Sequence, residues 1–163
     1  MLNGIFVITG NSEGKLEFFD IPKFSLVYDK QLEKCIITSL VFIKNRKNRF
    51  VVGFENGKIT YFKKQKTTTN QIHRENSSIT CMVCLNEKQI ITGGNECMLY
   101  IVELETLEVV SSLVGHQYPI KSVIIYPYSI DNHTYISLIS SDNKSVILWK
   151  NGGDAALKRE QIY

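Results

Sequence analysis

Apolar residues in this chain come in short runs, and Gly, Asn and Ser interrupt them about every eight to twelve positions. The runs lie at 4–9, 15–19, 24–28, 35–43, 79–85, 89–92, 98–102, 108–114, 120–126, 135–139 and 146–149, with a further pair at 50–62 broken by a turn. β-branched and aromatic side chains fill them, so the pattern predicts strands and an all-β chain. Residues 63–78 should hold one more strand, but no apolar run marks its place. The stretch 151–163 reads differently: Gly152-Gly153 predicts a linker, and residues 154–160 a short capped helix that adds no strand.

The turn-plus-strand segment repeats. Residues 9–19 align without a gap with 52–62, 92–102 and 139–149, at spacings of roughly 40–47 residues. Residues 106–150 hold the fullest copy, with Gly115-His116, then Pro119-Ile120-Lys121-Ser122-Val123, then Ser140-Ser141-Asp142-Asn143, then Leu148-Trp149. That order of motifs resembles a WD-repeat blade of a β-propeller. Lys150 stands where the family's signature has Asp, whereas Phe19-Asp20 in the first copy keeps the acid and replaces the Trp.

The resemblance implies blades of four antiparallel strands, in units around 1–30, 31–72, 73–114 and 115–150, followed by the 151–163 tail. No inner strand precedes the first hairpin and no outer strand is expected after Trp149, which gives about fourteen strands where a seven-bladed ring has twenty-eight. The expected fold is therefore an incomplete ring. Open blade faces and unpaired edges invite association, so a partner that completes or caps the propeller is expected. Two copies would reach the strand number of a ring. Because each copy would begin without an inner strand and end without an outer one, a different partner or a longer parent protein is the favoured reading.

Composition changes this picture little. Hydrophobic residues at 44% and charged residues at 21% describe an ordinary globular chain, and the net charge of +3 gives no global attraction to polyanions. Four cysteines without a secretory leader pattern at the start predict a reducing, intracellular setting, cytoplasmic or nuclear. No stretch approaches the ~18–20 apolar residues of a membrane helix.

Candidate chemistry is sparse. The Gly-x-x-x-Gly-Lys strings at 10–15 and 53–58 are a residue short of a phosphate loop and lack its Ser or Thr, and they fall in register on the repeated turns. Cys81 and Cys84 have the spacing of half a zinc site, but on a strand they point to opposite faces, which predicts core packing and no metal. No nucleophile motif or acid pair is recognisable and no cofactor is implied, so the chain reads as a non-enzyme. In the resembled family the His of Gly115-His116 belongs to a buried set with a turn acid, a strand hydroxyl and the Trp. That implies structural roles for Gly115, His116, Ser140, Asp142, Asn143 and Trp149, and for Phe19 and Asp20 in the first unit. The turn-acid column holds Glu13, Asn56, Glu96 and Asn143, with Asp142 one residue early, so an imperfect set is expected in every blade. Glu33 and Glu75 stand at the His position of the second and third units. Two basic clusters remain, Lys44, Arg46, Lys47 and Arg49, and Lys63, Lys64 and Lys66. Solvated loops explain them best, and RNA or acidic lipid headgroups are the alternative ligands. The function read from the sequence is a scaffold for protein partners.

Overall fold

The computed structural model describes residues 6–46, 48–63, 66–130, 133–151 and 157–162, and every regular element in them is a strand. The first sheet has the order β1 (Phe6–Gly10), β2 (Lys15–Asp20), β3 (Ser25–Gln31). The second runs β4 (Ile37–Phe42), β5 (Arg49–Phe54), β6 (Lys58–Lys63), β7 (Lys66–Gln71). The third comprises β8 (Ile79–Cys84), β9 (Gln89–Gly94), β10 (Met98–Glu103), β11 (Glu108–Val114). The fourth comprises β12 (Ser122–Ile130), β13 (His133–Ser141), β14 (Val146–Asn151), β15 (Leu157–Ile162). All pairings are antiparallel between chain neighbours, so each sheet is a meander.

Turn chemistry fixes the register. Asn11 Oδ1 accepts the backbone N–H groups of Glu13 and Lys15, each at 3.0 Å, and Asn56 Oδ1 accepts that of Lys58 at 3.2 Å. Gly14 and Gly57 close these turns at φ +76° and +84°. A Cβ on Gly14 would lie 1.7 Å from the Glu33 carbonyl oxygen, so this place tolerates no side chain. The two Gly-x-x-x-Gly-Lys strings are these turns.

Three apolar layers lie between successive sheets. Leu16 and Phe18 pack on Phe50, Val52, Phe54 and Phe62, with the Phe50 and Phe62 rings stacked at 4.4 Å. Val51, Ile59 and Tyr61 meet Ile90, Val102, Leu104 and Leu107. Ile91 and Leu99 meet Leu138, Ile147 and Trp149. Burying one such side chain stabilises by about 1.5–3 kcal/mol, so these layers and not the turns hold the sheets together. Backbone ties run alongside: Ile37 N–H donates to Asn11 O at 3.1 Å, tying the start of β4 to the turn of the first sheet, and Ile120 N–H donates to Gly94 O at 3.0 Å, tying the segment before β12 to the end of β9.

Two expectations need correction or completion. The helix expected at 154–160 is not formed over its described part, because residues 157–160 belong to β15, which pairs with β14 from Asn151↔Leu157 to Ile147↔Ile162. The fourth sheet therefore has its outer strand, and fifteen strands stand among the described residues. Gly152-Gly153 and residues 154–156 lie outside them. The strand sought in 63–78 is β7, whose residues KTTTNQ are exposed throughout. β7 escapes a search for apolar runs because its side chains are all exposed and the ladder with β6 holds it in place, so nothing selects hydrophobic side chains there.

Candidate functional site

At the end of the fourth sheet, loop 115–121 and turn 142–145 converge on one buried polar network. Trp149 Nε1–H donates to Ser140 Oγ at 2.8 Å, Ser140 Oγ lies 2.7 Å from His116 Nε2, and His116 Nδ1 lies 2.9 Å from Asp142 Oδ2. One proton arrangement satisfies all three: Ser140 donates to Nε2 and Nδ1–H donates to Asp142. Asp142 also accepts the N–H groups of Lys144 and Ser145, each at 2.7 Å, and the Ser145 hydroxyl at 3.0 Å. Burial pushes its carboxyl up, but these bonds outweigh it and hold it well below the usual carboxylate range.

The fourth set is thus complete, contrary to the expectation of an imperfect one, and it uses Asp142 while Asn143 is exposed. Its turn is one residue shorter: Ser140 pairs with Ile147, whereas Thr92, the hydroxyl of the third sheet, pairs with Tyr100. A gapless alignment cannot follow that difference. Gly115 is half-buried beside His116. Phe19 and Asp20 in the first sheet are half-buried too, and Asp20 Oδ1 caps the following turn by accepting Lys23 N–H at 3.1 Å.

Ser140, His116 and Asp142 have the hydrogen-bond order of a hydrolase triad. Ser140 is 1% exposed and its oxygen already accepts the indole N–H, so no acyl group can reach it. The network holds a loop and a turn in place.

The third sheet carries a variant that the sequence reading missed. In the loop before the inner strand it is His73, not Glu75, that reaches the strand hydroxyl, with Nε2 3.0 Å from Thr92 Oγ1 and its ring edge-on to Tyr100 at 4.8 Å. Glu96 Oε2 accepts the Tyr100 hydroxyl at 2.5 Å and Oε1 accepts Arg74 N–H, yet Oε1 stays 4.0 Å from His73 Nδ1, which has no hydrogen-bond partner among the described residues. Burial lowers the His73 pKa to about 4, against the weaker pull of Glu96, and burial with the Glu96 bond raises that of Tyr100 to about 12. The missing signal was offset: His73 stands two residues before Glu75, outside the column where a His was sought. In the second sheet Glu33 does hold the position, receiving Asn56 Nδ2 at 3.2 Å and Lys58 Nζ at 3.2 Å.

The basic clusters meet acids. Arg46 pairs with Glu87 at 2.6 Å, and Lys63 and Arg49 converge on Glu105 at 2.6 and 3.9 Å. These pairs join the second sheet to loops of the third; Lys44 and Lys66 are exposed, as is the paired Arg46, and Lys47 and Lys64 lie outside the described residues. Cys81 packs toward the fourth sheet and Cys84 toward the second, on opposite faces of β8.

No family model matches the chain. Over 133 residues it is 29% identical to intraflagellar transport protein 172 of Chlamydomonas reinhardtii, a match covering 77% of this chain and 7% of that protein. A solved structure, the WD40 β-propeller domain of Doa1, aligns with 100% of this chain and 51% of its own, at a TM-score of 0.71 and 18% identity. The chain spans about half the length of that propeller. Four antiparallel meanders stacked face to face, with a His–Asp–Ser–Trp network in the last, give this chain the fold of a WD40 β-propeller segment.

Proposed function

We propose that the chain is a non-catalytic interaction scaffold within a larger assembly, binding a protein or peptide partner on the face formed by loop 115–121 and turn 142–145. The supporting observation is the inward direction of the polar network. His116 and Asp142 are consumed in fixing the backbone, and the same backbone holds Gln117, Tyr118, Lys121 and Lys144 outward. Lys144 Nζ lies 4.7 Å above the Tyr118 ring centroid and donates to its hydroxyl at 2.9 Å, a pre-ordered aromatic and cationic pair that loses little entropy on binding. Similarity to an intraflagellar transport protein favours an assembly component over a freestanding enzyme.

The test is affinity capture with quantitative mass spectrometry, comparing wild type, Tyr118→Ala with Lys144→Glu, and an outer-strand control, Thr68→Lys. A partner retained by the control and lost with the loop pair supports the proposal. A partner lost only with the control would place binding elsewhere and sink it.

A further inference from the structure

Where loop 32–36 and turn 55–57 of the second sheet meet loop 72–78 of the third, a cleft of about 260 Å³ is lined by Cys35, Glu55, Asn56 and Asn76. Backbone bonds fix its walls. Glu55 N–H donates to Ile36 O at 3.0 Å, the N–H groups of Ile72 and His73 both donate to Gly57 O at 3.1 Å, and Ser77 N–H donates to Arg74 O at 2.9 Å. Asn56 is spent in the same frame, its Nδ2 donating to Glu33 at 3.2 Å and its carbonyl accepting Gln71 Nε2 at 2.7 Å. A cleft built this way is ordered before anything enters it, which lowers the cost of filling it.

The other three lining side chains are not spent: Cys35, Glu55 and Asn76 have no hydrogen-bond or ion-pair partner among the described residues. Two acids of the neighbouring loops are engaged, Glu33 with Lys58 at 3.2 Å and Glu96 with the Tyr100 hydroxyl and Arg74 N–H. The Arg74 charge acts on Glu96 and Tyr100, and neither Arg74 nor Lys34 lines the cleft, so the Glu55 carboxylate stands there without a counter-charge. Size and chemistry then select the occupant. Small-molecule sites run to roughly 300–1,000 Å³ and are mostly apolar, whereas this cleft is smaller and three of its four lining side chains are polar. That suits a single polar side chain and not a cofactor. A metal ion needs more donors than Glu55 and Cys35 supply, and the described residues hold no group of three acid, His or Cys side chains. A free carboxylate beside a free amide oxygen suits a cation that carries N–H donors. We propose that the cleft docks a basic side chain, Lys or Arg, of a protein partner, with its cationic group on Glu55 and Asn76 as second acceptor. The cleft lies between two inner sheets, and the assignment does not depend on what turn 142–145 binds.

The test is a titration of the isotope-labelled full chain, read by amide chemical shifts, with Ac-Gly-Arg-Gly-amide, Ac-Gly-Lys-Gly-amide and the matching citrulline peptide, which has the shape of arginine without its charge. Saturable shifts are expected at the amides of Cys35, Glu55, Asn56 and Asn76 with at least one basic peptide and not with citrulline, and the peptide that binds identifies the group the cleft takes. Glu55→Gln should raise the Kd by roughly fivefold or more, as loss of a charge-assisted bond does. Glu55 is exposed, and unchanged shifts elsewhere check that the variant folds. Four results would overturn the proposal: no saturable shift with either basic peptide, equal shifts with citrulline, equal shifts around the exposed acids Glu13 and Glu75 outside the cleft, or binding indifferent to Glu55→Gln.

Discussion

Trp149 is both a filler of the layer between the third and fourth sheets and a donor to Ser140, and two substitutions separate these contributions. Trp149→Ala should lose about 3–5 kcal/mol in urea unfolding, the cost of truncating a buried aromatic. Trp149→Phe keeps most of the packing and should lose only about 1–2 kcal/mol, for the orphaned Ser140 partner. Asp142→Ala should destabilise clearly while Asn143→Ala stays within about 0.5 kcal/mol of wild type, since Asn143 is exposed; equal effects would contradict the network. His73 adds a pH dependence. The unfolded chain takes up its proton near pH 6.5, the folded chain only near 4. Between those values the unfolded state holds more protons, so stability falls as pH drops through that window. Urea midpoints at pH 7, 5.5 and 4.5 should show this slope, and His73→Gln should flatten it. The members of the fourth set were legible from Gly115-His116 and Trp149, which carry a strong motif. His73 was not, because a displacement of two residues is invisible until the backbone shows which way the loop folds.

At the scale of elements, strands that carry an apolar run could be read, exposed outer strands such as β3 and β11 included, and a strand without one could not. Ile79–Cys84 and Met98–Glu103 announce themselves by apolar content, whereas Lys66–Gln71 is a strand made of polar residues whose ladder with β6 does the work. Leu157–Ile162 is the harder case, since LKREQI suits a helix by composition and becomes a strand only because β14 offers an edge. Hydrogen exchange checks this element directly. Amides of 157–162 that face β14 should be protected to a degree approaching those of β14, while those of turn 21–24 exchange fast; uniform rapid exchange across 157–162 would contradict the pairing.

For the whole molecule, stability is a sum over sheets and the layers between them, as in other stacked repeats. The first sheet has three strands and one covered face, and the second and third are covered on both. It should therefore open first on heating, with the second and third following together because Glu105 and Glu87 join them across the layer. Limited proteolysis near the midpoint should cut within 21–33 before any site between 79 and 114. Cutting in the reverse order would show that the inner sheets are not the stable unit.

One consequence concerns light. The chain has a single tryptophan. It is sealed at 2% exposure in the layer between the third and fourth sheets, some three layers of side chains from β1. Indole emission is thus a spectator of one end of the arc: opening of the first sheet leaves the spectrum unshifted, and the red shift arrives only when the last layer parts. A fluorescence melt and a far-ultraviolet dichroism melt of the same sample would trace two different curves, and the gap between them would measure how far the two ends of the chain unfold independently.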